Sequence, residues 1–398
     1  MGGLDVTAMV TTARRATLAG DPDVALASLD RALEVASSSE DRGRLLLARA
    51  IAQQSMVDPE PPIRDAMEAT RLLRASGFHN EAAYAAAGAA VFCQRAGRIG
   101  DAVDHAVTAM VLRAESAEVD PDWVRAANGV ALLFGQLSAF ELAMASSIEA
   151  FGKGDAADPV TQEITAYTLC FTAVEGLHSG VSIDPEPARR AAVWLRDDAE
   201  TDAARLVLGP GMLAELALLG EHDGDAEELA ATMTDTAADV SPRVAAWRDL
   251  VGASVAHSGG RPSEAVGLLD RSLPRLVSMG DEHRVVRGYR VRGAAKAELG
   301  DLRGAYDDAR VSAAMIRRSQ VEQVGRLATQ IQRRADLEVA RSALRRRADD
   351  LAREVSTDAV TGVGSRRWFD LEVARLTATT GWGAVLVIDL DHFKSVND

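Results

Sequence analysis

Two carboxylates follow an apolar run near the end of this 398-residue chain. Residues 384–388 read Ala-Val-Leu-Val-Ile, and Asp389 and Asp391 come directly after them. A continuous apolar run that ends in carboxylates is typical of a buried central strand that carries ligands at its end. Residues two apart share one side of an extended chain, so we expect the two carboxylates to lie together. Hard oxygen ligands beside a polyphosphate suit Mg²⁺, and two such ions can assist an in-line attack on phosphorus.

The residues before and around this strand form a longer pattern that resembles the front of a GGDEF domain, the diguanylate cyclase family. The pattern is Asp358-x-x-Thr361-Gly362-x-x-x-Arg366-Arg367-x-Phe369 and, about twenty residues later, Ile388-Asp389-Leu390-Asp391-x-Phe393-Lys394-x-x-Asn397-Asp398. Both halves at this spacing make the resemblance specific, although it covers only some 40 residues. The resemblance implies a truncated α/β segment over residues 358–398, following a mainly α-helical chain.

The resemblance also implies an activity and a role for individual residues. Members of the family join two GTP molecules into cyclic di-GMP, and each of two paired domains holds one GTP. By this resemblance, Asp389 binds Mg²⁺ through its carboxylate and Leu390 binds it through its carbonyl oxygen. The backbone near His392 and Phe393 binds the terminal phosphates, catalytic Lys394 offsets charge on the transferred phosphoryl group, and Asn397 binds the guanine edge.

This sequence departs from the family pattern in two ways. Ser365 stands where Asn is common before the arginine pair, and Val360 and Val363 stand where Leu is usual; these are mild differences. The Gly-Gly-Asp-Glu-Phe loop with the second metal carboxylate and the inhibitory Arg-x-x-Asp site do not follow Asp398. One strand with one or two helices does not form an independently stable sheet. We therefore expect a longer parent cyclase and no catalysis by this chain itself.

An arginine-rich helical stalk is predicted over residues 316–357. Val324 and Ile331 are seven residues apart, and Leu337, Leu344 and Leu351 repeat the same spacing one residue out of phase. This pattern predicts a two-stranded coiled coil with a stutter or hinge. Ten arginines against five acids between residues 317 and 353 leave a basic DNA-binding helix as an alternative. The arginines interleave with the apolar seam, which favours a solvated coiled coil that joins two chains as a homodimer.

Residues 1–315 contain a sequence motif, here called the repeat phrase, that recurs about every 40 residues. The phrase places a glycine before a short polar turn, at Gly20, Gly97, Gly135, Gly220, Gly260 and Gly300. Only glycine takes the left-handed conformation at a helix end without strain, so each phrase predicts a helical hairpin. An alanine five residues after four of these glycines lets the next helix pack closely: Ala25, Ala102, Ala265 and Ala305.

A single hairpin cannot bury its own apolar face, so the hairpins must stack. The period and the Gly-x4-Ala spacing resemble a tetratricopeptide-type α-solenoid of about eight units. That resemblance implies a concave face for a protein or peptide ligand, and a scaffold without a ligand of its own is the alternative. The histidines are scattered without metal-site spacing, and we predict no chemistry in the array.

Composition excludes several classes of protein. The formal charge of −15 argues against nucleic acid or a membrane surface as a general partner, because both are anionic. Neither a secretory signal nor a membrane span is recognisable, which predicts a cytoplasmic protein. Cys93 and Cys170 lie in apolar surroundings and are predicted to be buried free thiols.

Three functions fit these observations. The first is the sensory portion of a tetratricopeptide-linked diguanylate cyclase, in which the stalk controls how two catalytic domains pair. The second is a scaffold whose GGDEF-like end is degenerate and serves as a nucleotide receptor or docking segment. The third is a transcriptional regulator, which is disfavoured because no helix-turn-helix pattern is recognisable.

Overall fold

The computed structural model describes residues 5–18, 21–55, 58–197, 203–235, 240, 242–318, 344, 347, 363–380, 384 and 386. The chain divides into two compact units, Met1–Arg326 and Leu327–Asp398. The described residues are mainly helical, and they contain no β-strand. None of the described helices combines the length and apolarity that crossing a bilayer requires.

The first unit is a succession of helices joined by short turns. They are α1 Val6–Leu18, α2 Pro22–Val35, α3 Ser39–Ala52, α4 Glu60–Ala75, α5 His79–Arg95, α6 Ile99–Glu115, α7 Pro121–Gln136, α8 Phe140–Gly152, α9 Pro159–His178, α10 Glu186–Asp197, α11 Ala203–Leu218, α12 Ala226–Asp235, α13 Pro242–Ser258, α14 Pro262–Ser278, α15 Glu282–Glu298 and α16, residues 302–318. Two short 3-10 turns, Gln53–Ser55 and Gly154–Ala156, follow α3 and α8. In the second unit, α17 covers Arg366–Thr380.

Helix starts follow local sequence signals. Asp120 accepts a hydrogen bond from the Trp123 amide at 2.8 Å, and Asp158 accepts one from the Thr161 amide at 3.0 Å. In both cases a proline occupies the next position, where its missing N–H is not needed and its fixed φ suits a helix. The Asp-Pro pairs therefore set where α7 and α9 begin.

The helices stack in two layers. Each odd-numbered helix from α1 to α15 contacts the next odd-numbered helix, whereas the even-numbered helices pack mainly on their neighbours in the chain. This arrangement is consistent with an α-solenoid, because every pair buries its apolar face against the pairs on either side. The prediction of a mainly helical array is confirmed at this level.

Four of the predicted repeat glycines end helices in the left-handed conformation. They are Gly97, Gly220, Gly260 and Gly300, with φ between 72° and 81°. After Gly97, the Arg98 amide donates to the Cys93 carbonyl at 2.8 Å, which is the Schellman pattern of a helix end. Gly20 lies outside the described residues.

Gly135 behaves differently from the other repeat glycines, and its predicted role is wrong. It lies inside α7, which ends at Gln136, and Ser138 takes the left-handed conformation with φ 58°. Ala139 then donates to the Phe134 carbonyl at 2.9 Å, so the same helix end forms three residues later with a serine. Serine adopts this conformation at some cost in strain, and the surrounding hydrogen bonds hold it there.

The alanines that follow the repeat glycines are predicted to lie between closely packed helices, and three of the four are buried there. Ala25, Ala102 and Ala265 are buried between helices, where a larger side chain would separate the axes. Ala305 on α16 is half-buried, because α16 is the last described helix of the array. Cys93 and Cys170 are buried free thiols, as predicted, and burial raises the pKa of Cys93 to about 11.

Two equivalent Arg–Asp ion-pair networks show that the repeat extends to side-chain contacts. Arg49 on α3 pairs with Asp30 on α2 and with Asp65 on α4, both at 2.7 Å. The same arrangement returns about 240 positions later, where Arg292 on α15 pairs at 2.7 Å with Asp270 on α14 and with Asp308 on α16. That interval is six repeats of about 40 residues.

In the second unit, α17 begins where the family pattern has its arginine pair. The Ser365 hydroxyl accepts a hydrogen bond from the Trp368 amide at 3.3 Å, so Ser365 caps the helix. Serine and asparagine are both favoured at this position, which makes the departure at Ser365 conservative. Several apolar side chains of α17 are exposed, among them Trp368, Phe369 and Leu371.

The predicted buried strand over residues 384–388 is not supported by the two of its residues that the structure describes. Ala384 and Leu386 lie outside any helix or strand, and Leu386 is 83% exposed. A strand is buried only when other strands pair with it and a layer covers its faces, and the described residues supply no such strand. The other residues of this run lie outside the described part of the chain.

The predicted stalk lies largely outside the described residues, and only its first residues belong to α16. Along α16, five of the apolar residues form a stripe whose members are spaced alternately by four and three residues: Leu302, Tyr306, Ala309, Ala313 and Ile316. Leu302 is 72% exposed and Tyr306 is 67% exposed. This stripe has the a/d spacing of a coiled coil and begins 14 residues before the predicted start of the stalk.

Candidate functional site

The residues predicted to bind Mg²⁺ and GTP all lie outside the described residues. They are Asp389, Leu390, His392, Phe393, Lys394 and Asn397. The two predicted metal ligands, the Asp389 carboxylate and the Leu390 carbonyl, are oxygen donors of the kind that Mg²⁺ prefers. Among the described residues, no group of three or more His, Cys, Asp or Glu side chains is placed to hold a metal ion.

The described array contains a buried cluster of charged side chains on its odd-numbered helices. Arg284 on α15 is almost fully buried, and its guanidinium donates to the Tyr167 hydroxyl at 2.6 Å and to Asp281 at 3.1 Å. Its charge lies 4.9 Å from the ring centre of Phe171 and 5.7 Å from that of Trp247. Aromatic faces and two hydrogen-bond acceptors therefore replace the water that this cation loses.

Arg287, one turn further along α15, completes the cluster. Its Nη1 donates to Glu215 Oε2 at 3.1 Å, and its Nη2 lies 2.7 Å from Glu215 Oε1 without the alignment of a hydrogen bond. Glu175 on α9 lies 3.6 Å from the same guanidinium. His178 Nε2 at the end of α9 lies 3.2 Å from Glu215 Oε2. We call Glu175, His178, Glu215, Arg284 and Arg287 the ionic cluster.

The cluster keeps its buried carboxylate ionised. Burial alone would raise the pKa of Glu215, whose side chain is fully buried, but the charge of Arg287 and the contact with His178 hold that pKa below its usual range. Burial likewise disfavours the charged form of Arg284, yet the neighbouring Tyr167 and Asp281 raise its pKa. A buried pair of this kind strongly resists the loss of one partner, because the other charge would then be unpaired.

A groove of about 800 Å³ borders the ionic cluster. The C-terminal ends of α9, α11 and α13 contribute one side, and α15 and α16 contribute the other. Its polar lining consists of His178, Ser254, His257, Ser258, Arg287, Tyr289, Arg290, Tyr306 and Ser312. Arg287 therefore belongs both to the cluster and to the wall of this groove, which places a buried charge next to a space that can hold a ligand.

A second cavity, of about 260 Å³, lies between α1, α3, α5 and α7 near the start of the array. Arg44 Nε donates to both carboxylate oxygens of Glu81 at 3.0 Å, and Arg125 donates to Asp122 at 2.6 Å and to Thr161 at 3.0 Å. Each arginine in this wall already has a carboxylate partner. The cavity is therefore electrically compensated and favours no particular sign of ligand charge.

Sequence reasoning overlooked the ionic cluster, although one signal pointed to it. Glu175 and Glu215 each interrupt an apolar helix, in Thr-Ala-Val-Glu-Gly-Leu and Leu-Ala-Glu-Leu-Ala-Leu, and they are 40 positions apart. A carboxylate at the same place in consecutive repeats, surrounded by apolar residues, indicates a buried charge that requires a partner. The partner on α15 is far away in sequence, so only the folded array identifies it.

No protein-family model matches the chain, and a search of the curated proteins finds no match.

Proposed function

We propose that the chain is the regulatory portion of a tetratricopeptide-linked diguanylate cyclase whose full-length parent converts two GTP molecules into cyclic di-GMP. The observation that carries this proposal is the two-part motif over residues 358–398 that directly follows a helical array and an arginine-rich stalk. The start of α17 at Arg366 with the Ser365 cap agrees with the helix that the motif implies.

Regulation would act through pairing of two chains. Each catalytic domain supplies one GTP, so bringing two domains together in the right orientation is the step that a signal can control. A protein or peptide ligand on the helical array would change how the stalks pair, and the exposed apolar stripe of α16 would lie at the start of that pairing surface. The partners in this proposal are GTP, the array's ligand and a second copy of the chain.

The decisive experiment is a cyclase assay on the full-length product of the gene. We expect cyclic di-GMP from GTP in the presence of Mg²⁺, measured by mass spectrometry, and its loss on Asp389→Ala, because the variant removes the carboxylate proposed to bind the metal. Arg310→Ala is the matched control, since Arg310 is exposed on α16 and far from the motif in sequence. Full activity of Asp389→Ala would rule out the metal assignment.

A second function is favoured by the exposure of Leu386 and of the apolar side chains on α17. A degenerate GGDEF-like end would act as a nucleotide receptor or docking segment on a helical scaffold. Fluorescent GTP binding without turnover by the full-length product would support this function over the cyclase. Measuring both GTP binding and turnover on one preparation of the full-length product therefore distinguishes the two functions.

A further inference from the structure

We propose that two copies of the chain pair in parallel along α16, so that the last described helix of the array forms part of the dimer interface. This pairing rests on the dimer in the function proposed above, to which it adds the helix, the orientation and the contacting positions. Most of α16 precedes the predicted stalk, which begins at residue 316, and therefore belongs to the array itself.

The outer face of α16 is apolar, although a helix at the end of a repeat array normally presents a polar face to water. Leu302 and Tyr306 are strongly exposed, and Ile316 is exposed as well. The opposite face of α16 is held on α15, where Arg292 donates hydrogen bonds of 2.9 and 2.7 Å to the buried Asp308. The exposed stripe is therefore fixed in place and suits a partner helix.

The stripe on α16 shares its heptad phase with the leucines of the predicted stalk. Its spacing places Leu302 at a d position and Tyr306 at the next a position. In the sequence, Leu337 lies 35 positions, or five heptads, after Leu302, and the other two stalk leucines follow Leu337 at intervals of seven. A second copy of the chain carries the same two apolar segments at the same spacing, so it is the partner that matches both.

Arginines beside the stripe favour a parallel pair. Arg303, Arg310 and Arg317 are exposed, and each follows a d position, which makes it an e position of the heptad. An antiparallel pair places the e positions of the two helices opposite one another, so these like charges would repel. A parallel pair places them opposite the g positions of the partner, where Ala305 and Ser312 carry no charge.

The position of α15 favours the same orientation. It packs on the g side of α16, where a carbon added to Gly293 would lie 3.3 Å from the Ala305 carbonyl oxygen. In a parallel pair the g sides of the two helices point to opposite sides of the seam, so the two arrays do not compete for space. An antiparallel pair would bring both arrays to the same side. Charge and space therefore agree on the parallel arrangement.

The test is oxidative cross-linking of variants of the full chain that each add one cysteine, followed on a non-reducing gel. Tyr306→Cys places a thiol at an a position and Ile316→Cys places one at a d position. A disulfide forms only where the two Cα atoms lie within about 7 Å. Asp307→Cys is the matched control, because Asp307 is exposed on α16 beside the stripe. The native thiols of Cys93 and Cys170 are buried.

We expect Tyr306→Cys and Ile316→Cys each to form cross-linked dimers at least about tenfold faster than Asp307→Cys, because a and d positions face their own counterparts in a parallel pair. A mixture of the two stripe variants, one of them carrying a size tag, should give no mixed cross-linked dimer. In a parallel pair the two positions lie about 15 Å apart along the helix axis, which is too far for a disulfide.

Mixed cross-linked dimers without dimers of either variant alone would show an antiparallel pair and overturn the orientation. Equal cross-linking rates for all three variants, or no cross-linking by any of them, would overturn the pairing along α16. The cross-links form without GTP, so they would stand even if the full-length product made no cyclic di-GMP. The pairing and the proposed activity can therefore fail separately.

Discussion

Arg284 donates a hydrogen bond of 2.6 Å to the hydroxyl of Tyr167, although 117 positions separate the two residues. The bond joins α15 to α9, and Arg287 makes a parallel connection from α15 to Glu215 on α11. Contacts in a repeat array are normally limited to neighbouring units. These long-range bonds therefore connect the four consecutive helix pairs from α9 to α16 into one block.

Removing the Tyr167 hydroxyl should weaken this block. We expect Tyr167→Phe to destabilise the array by about 1–3 kcal/mol, because it leaves a buried guanidinium with one acceptor fewer. The thermal midpoint of the helical circular dichroism signal measures the effect. Tyr306→Phe is the matched control, since Tyr306 is 67% exposed. Equal midpoints for Tyr167→Phe and the wild type would show that the bond contributes nothing.

Acid should weaken the pairing of Asp308 with α15. Burial raises the pKa of Asp308, but hydrogen bonds from Arg292 and Lys296 outweigh this effect and lower it below the usual range. A carboxyl with a lowered pKa in the folded state stabilises the fold above its unfolded value of about 3.9 and loses that contribution as pH falls further.

We therefore expect Asp308→Asn to reduce the free energy of unfolding by about 1.5–3 kcal/mol at neutral pH. The difference from the wild type should shrink as pH falls below about 4. Urea unfolding at several pH values measures it. Asp270→Asn is the control, because Asp270 pairs with the same Arg292 at 2.7 Å but is 55% exposed. A difference in the free energy of unfolding that does not change with pH would contradict the lowered pKa of Asp308.

Two glycines of the same sequence phrase should respond in opposite ways to alanine. Gly97 has φ 74°, so we expect Gly97→Ala to cost about 1–2 kcal/mol even though the added carbon has free space. Gly135 is helical, and its added carbon would meet the Thr172 hydroxyl oxygen at an ordinary 3.8 Å. We expect Gly135→Ala to be neutral or to stabilise by up to about 1 kcal/mol. The thermal midpoint of the helical circular dichroism signal measures the stability of both variants. A large loss of stability in Gly135→Ala would contradict the helical conformation of Gly135.

The stripe on α16 should support association of two chains. We expect weak dimers of the full chain at high micromolar concentration by sedimentation equilibrium. The double variant Leu302→Glu with Ile316→Glu should weaken them at least tenfold, because charges on an a/d seam oppose its burial. The matched control is Leu142→Glu with Ile148→Glu, which alters two exposed apolar residues of α8. A wild-type monomer at that concentration, or equal effects of both double variants, would argue against this surface.

The sequence by itself predicted the helical array and four of its turns, because these features depend on local chemistry. Gly97, Gly220, Gly260 and Gly300 end helices through their own backbone freedom. The repeat period also predicted stacking, since a lone hairpin leaves its apolar face exposed. The resemblance of residues 358–398 to a GGDEF domain likewise comes from sequence alone, and the activity that it implies is a proposal.

Only the tertiary structure decided what depends on residues far apart in the chain. Gly135 lies inside α7, and Ser138 takes the left-handed conformation that the sequence pattern predicts for Gly135. The tertiary structure brought Arg284 and Arg287 to Tyr167 and Glu215, and so produced a buried ionic cluster beside a groove. Local patterns carry no information on which buried charges will meet, because that depends on how many repeats separate them and how the helices of each repeat stack.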